Sequence, residues 1–116
     1  RRQRQMCIRD SAYTDKSESE RTDMQKKVDT ILRKHNVDMY ICGHIHNYQH
    51  IRRPDSKIDY VVNTSGSLTR TPQKIDGTVF CNDSPGFSVL TAGKENLKLN
   101  LLDKEGKTIH VVSRSK

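Results

Sequence analysis

The sequence predicts an α/β domain in which one helix precedes a set of mixed and antiparallel strands. Three observations carry this. Met24, Val28, Ile31 and Leu32 fall at i, i+4, i+7 and i+8, the apolar stripe of an amphipathic helix. A short apolar run from Met39 to Cys42 then reads as a buried strand, ending in Gly43-His44-Ile45-His46-Asn47. Past Gly86 the chain becomes a meander, and Leu97-Lys98-Leu99-Asn100-Leu101 alternates as a sheet with one solvated face does.

At 116 residues the chain is at most one domain, and 32% hydrophobic against 30% charged residues allow a modest core under a largely polar surface. The segment from Arg1 to Asp10 reads as the in-frame translation of a transposase sequencing adapter, with Ser11 completing it. Residues 1–11 are therefore treated as a disordered artefact and left out of fold reasoning. Residues 12–116 are then expected to lack their natural N-terminus. The competing interpretation of the first residues is a basic arm for nucleic acid.

The exclusion changes the electrostatics. Removing four arginines and one aspartate takes three charges from +7 and leaves a mildly basic +4. No run of lysine or arginine argues for nucleic acid as a partner. Cys42 and Cys81 remain, too few for a disulfide framework. No stretch approaches the roughly twenty apolar residues of a membrane span.

Ser17 and Glu20 have the spacing of a capping box at the helix start. Arg33 and Lys34 suit the negative end of the helix dipole, and Asn36 suits a left-handed cap. His35 is a cap or surface residue. The strand expected over 37–42 stops at Gly43, where the backbone turns freely. Arg52 to Lys57 forms a turn, and residues 58–63 read as a further strand leading into Thr64-Ser65-Gly66-Ser67. Leu68 to Pro85 shows no period. Phe87–Ala92, 97–101 and 108–112 are the strands of the meander, with His110 structural.

The chemistry sits in His44 and His46. In extended geometry alternate side chains share a face, which sets the two histidines about 7 Å apart at the backbone. Each imidazole could then reach a metal at about 2.0–2.1 Å, outside the carboxyl end of a strand where ligands gather in open α/β sheets. Gly43, Asn47 and His50 are possible lining residues, although a partly exposed structural role suits His50 better. Two exposed histidines without a role, or one zinc shared with Cys42, are the competing interpretations. Cys42 is better placed as a small buried residue.

Taken together, the helix, the strand ending Gly43-His44-Ile45-His46-Asn47, the strand ending Asn63-Thr64-Ser65-Gly66 and the meander opening Gly86-Phe87-Ser88-Val89 resemble the C-terminal part of a calcineurin-like metallophosphoesterase. The downstream pattern is similar to the purple acid phosphatases. The resemblance implies the C-terminal half of a four-layer α/β/β/α sandwich, completed by the missing N-terminal half of the domain. It implies a phosphoric ester hydrolase acting on a small phosphorylated substrate through two metals, iron with zinc, manganese or a second iron. His46 would bind the first, ferric metal and His44 the divalent one. It also implies a secreted or periplasmic parent. The family's upstream aspartates and asparagine are absent from this sequence, so no catalytic residue is assigned and the chain alone is expected to be inactive. A phosphodiesterase or nucleotide hydrolase, or a non-catalytic binding module with the same fold, are the alternatives.

Overall fold

The computed structural model describes residues 25–115. The Ser17–Glu20 box, Met24 and residues 1–11 lie outside the described residues. A π-helical turn over Gln25–Asp29 tightens into helix α1, Thr30–Lys34. Its end follows the sequence expectation. Asn36 takes a left-handed φ of 52°, its N–H reaches the Arg33 carbonyl at 3.2 Å, and the Val37 N–H reaches the Leu32 carbonyl at 3.1 Å. That pair of bonds is the Schellman motif, which satisfies carbonyls the helix would otherwise leave open.

The apolar stripe is narrower than the spacing suggests. Leu32 packs on Ile51, Ile58 and Tyr60, whereas Ile31 is 57% exposed. Polar contacts hold the segment down instead. The buried Asp29 accepts from Arg33 Nε at 2.7 Å and from the Tyr60 hydroxyl.

Four strands form the first sheet: β1 (Met39–Cys42), β2 (Tyr48–Ile51), β3 (Asp59–Val62) and β4 (Thr78–Asn82), in the order β1-β3-β2-β4. β1 and β3 are parallel, with Tyr40 beside Tyr60. The β3–β2 and β2–β4 pairs are antiparallel, and β4 carries an irregularity opposite His50 and Ile51. β2 and β3 are central and buried along their whole length. β1 lies on the edge, so Ile41 is 41% exposed. An apolar run predicts burial, but an edge strand has a neighbour on one side only.

The meander forms the second sheet from β5 (Gly86–Ala92), β6 (Asn96–Asp103) and β7 (Thr108–Ser115), all antiparallel. Its inner face places Leu99, Leu101 and Val112 against Tyr48 and Val61 of the first sheet, with Met39, Phe80 and Ile109 packed around them. On its far face the first sheet buries Cys42 and Val62 with Ile45, and Ile51 and Tyr60 with Ile58. The Tyr48 hydroxyl lies 2.7 Å from the carbonyls of both Phe87 and Leu102, fastening the sheets together.

The α/β/β/α sandwich expectation is corrected: the described residues form a mostly β structure, two sheets and one short helix. Two features account for the difference. The helix supplies a single turn of α-structure whose Leu32 alone among its apolar residues is known to reach the core. The aperiodic stretch 68–85 contains β4, which has a half-buried face and an exposed Val79 and so shows no clean alternation.

Candidate functional site

The first sheet brings several chain ends to one edge. β1 and β3 end there, β2 begins there, and β4 ends there, because Tyr48 pairs with Asn82 and Cys42 with Val62. Three loops therefore converge: 43–47, 63–70 and 83–85. The Asn63 N–H donates to the Cys42 carbonyl at 2.7 Å and the Arg70 N–H to the His46 carbonyl at 2.9 Å, so the second loop is tied to the first at both ends. The third loop is tied to the second, since the Gly86 N–H donates to the Ser65 carbonyl at 3.2 Å and Thr64 Oγ1 to the Ser84 carbonyl at 3.0 Å.

His44 and His46 both lie on the first loop, half-buried, with Ile45 buried between them. The extended geometry expected for this pair is corrected. Residues 44–47 bend, and the backbone is left-handed at both histidines, with φ of 83° at His44 and 64° at His46. Gly43 does not make the turn. Its φ is not left-handed, and a Cβ there would meet nothing closer than the Asn63 carbonyl at 4.0 Å. Left-handed φ at a residue with a side chain is uncommon, although histidine visits it more than most. Each instance costs on the order of 1–3 kcal/mol and persists where the surroundings enforce it, typically at functional sites. Two within three residues mark this loop out.

Asn47 is buried and accepts from Gln49 Nε2 at 2.8 Å, and its Nδ2 has no partner among the described residues. Among the described residues no group of three His, Cys, Asp or Glu side chains is placed to hold a metal. Imidazoles suit zinc or iron by donor chemistry, but the fit is partial: no carboxylate among the described residues is grouped with them to bridge two metals.

His50 sits elsewhere. It is buried between the sheets, with Nε2 2.7 Å from Asp59 Oδ1 and Nδ1 2.9 Å from His110 Nε2. Arg52 Nε donates to the same Asp59 oxygen at 2.6 Å, and Arg114 Nη1 lies 3.4 Å from Oδ2. Burial alone would raise the Asp59 pKa, but the bonds from His50 and Arg52 outweigh it and hold the carboxyl below its ordinary range. Phe80 stacks on His110 at 4.3 Å between ring centres. A structural role is expected for both rings, but His50 is buried at 2% exposure rather than partly exposed, because its partners lie between the sheets; the sequence did not join the two. One signal was available: His110 shares the inward parity of Val112, and a polar ring on an inward face needs a partner.

No family model and no curated protein matches this sequence. Among solved structures the chain is similar to one described as GAP50, the anchor in the inner membrane complex of Plasmodium. The TM-score is 0.79 at 19% identity, over 90% of this chain and 34% of that one. The chain thus spans about a third of that protein's length, and at this identity the likeness establishes the fold alone. The assignment to the calcineurin-like metallophosphoesterases and the purple acid phosphatases is corrected: no family model supports it, and the similar structure is described as an anchor. The physical reason is the brevity of the signal. Gly-His-x-His and Gly-Phe are short patterns, and the acidic ligands that would make them diagnostic are not in this sequence.

Proposed function

We propose that this chain is part of a metal-dependent phosphoric ester hydrolase, in which His44 and His46 supply two ligands to a metal site completed by residues outside those described. The observation that carries the proposal is the pair of left-handed histidines on a loop where three loops converge, at the carboxyl end of two parallel strands. The surroundings suit an anionic ester. Hydroxyl and amide side chains dominate loops 63–70 and 83–85, with Arg70 as a cation and Asp83 as the lone carboxylate. A bound metal would supply a hydroxide at neutral pH and neutralise charge on the phosphoryl oxygens. The chain's own part is to hold two imidazoles on a loop tied by backbone hydrogen bonds, which fixes their position without adding negative charge.

The test is hydrolysis of a chromogenic phosphomonoester by a longer protein containing this chain. Activity should vanish on chelation and return with zinc, manganese or iron. His46→Ala should cost more than the roughly 10–100-fold lost when an outer partner of a ligand is removed. Turnover indifferent to both chelator and substitution would overturn the proposal. A non-catalytic binding or anchoring module is the second interpretation, favoured by the description of the similar structure. It predicts a longer protein that binds a partner and hydrolyses nothing.

A further inference from the structure

We infer that Arg70 is the specificity-determining contact of this edge, holding the phosphoryl oxygens of a phosphate monoester opposite the histidine loop. This deepens the proposed function and rests on it for the identity of the substrate. The placement comes from the backbone. The Arg70 N–H donates to the His46 carbonyl at 2.9 Å, which sets the backbone of Arg70 beside that of the histidine loop. Arg70 is exposed, and among the described residues no carboxylate pairs with its side chain.

The loop it closes is pinned rather than loose. Asn63 is tied to Cys42, Ser65 to Gly86, and Thr64 to Ser84. Ser65 Oγ accepts from the Ser67 N–H at 3.1 Å, turning the chain back on itself beneath Gly66. Gly66 has open space where a Cβ would stand. The result is a hydroxyl-bearing loop closed at Arg70, whose backbone is bonded to that of His46. A guanidinium forms paired, planar hydrogen bonds with phosphate oxygens, which a point-charge ammonium does not. A monoester dianion offers three terminal oxygens for such a clamp and a diester only two with a single charge. Arg70 therefore favours monoesters.

The test is a titration of the full chain with inorganic phosphate, followed by amide NMR, with dimethyl phosphate as the diester probe and a separate titration with zinc. The expected result is that phosphate shifts amides in 44–47 and 64–70. Binding should weaken at least fivefold in Arg70→Ala and partly recover in Arg70→Lys. It should be unchanged in Lys98→Ala, which removes the same charge from the meander. Dimethyl phosphate should bind several-fold more weakly than phosphate. Because Arg70 is exposed, unfolding midpoints should match across the variants, separating lost contact from lost fold. Phosphate shifts located elsewhere, or equal affinity in wild type and Arg70→Ala, overturn the inference even if zinc binds the histidines. Zinc failing to touch His44 and His46 while Arg70→Ala abolishes phosphate binding would keep the anion contact and remove the metal-hydrolase proposal.

Discussion

Acidification should loosen the junction between the two sheets through His110. His110 Nε2 lies 2.9 Å from His50 Nδ1, and His50 Nε2 lies 2.7 Å from Asp59 Oδ1. Arg52 and Arg114 are packed against the same carboxylate, so a charge gained on the His110 ring joins a cluster that already holds two guanidiniums. Burial first, and then the charges of His50 and Arg52, lower the His110 pKa below its ordinary value. Below about pH 6.5 the unfolded chain therefore binds the proton that the folded chain resists. Stability present above that pH is lost as pH falls toward the folded pKa. One proton permits a slope of at most about 1.4 kcal/mol per pH unit. His110 is only partly buried, so solvent screening keeps the loss on acidification below that limit. His110→Gln removes the titration and keeps a polar partner for His50. Urea unfolding from pH 8 to 5 should show a shallower decline in the variant than in wild type. Parallel curves would refute the reasoning.

Two further outcomes follow from the packing. Tyr48→Phe removes the hydroxyl lying 2.7 Å from the Phe87 and Leu102 carbonyls, which burial keeps protonated by raising its pKa. It should cost about 1 kcal/mol in denaturant unfolding, and an unchanged midpoint would show that the bond adds nothing. Gly77→Ala meets a harder limit, because Gly77 has a φ of 90° and a Cβ there would stand 2.1 Å from the Arg52 carbonyl. The loss should reach about 1–3 kcal/mol in the same assay, and a loss below about 0.5 kcal/mol would mean that the loop relaxes freely.

What the sequence revealed, and what it concealed, divides by range. Local signals held. Asn36 closes the helix where a left-handed cap was expected, and the meander from Gly86 pairs as successive antiparallel strands. β3 is a strand as its residues suggest. Signals that depend on the sheet as a whole failed. Nothing in Met39–Cys42 marks it as an edge strand, since its neighbours are set by β3, some twenty residues further on. The fold class differs because strands make up most of the described residues, while the described part of the apolar stripe forms one short helix. At the candidate site the histidines were visible, but their backbone was not. A Gly-His-x-His string does not say that the histidines, rather than the glycine, turn the chain. The Asp59–His50–His110 cluster joins three strands by sheet packing, and no local spacing encodes it.

The claim on which the functional account rests is that His44 and His46 act together as metal ligands. Nitrogen NMR of the five imidazoles in the full chain, titrated with zinc, tests it directly. The account predicts that the ring signals of His44 and His46 move together and saturate, while those of His35, His50 and His110 stay in place. Zinc that moves neither of the pair, or moves all five alike, would contradict it.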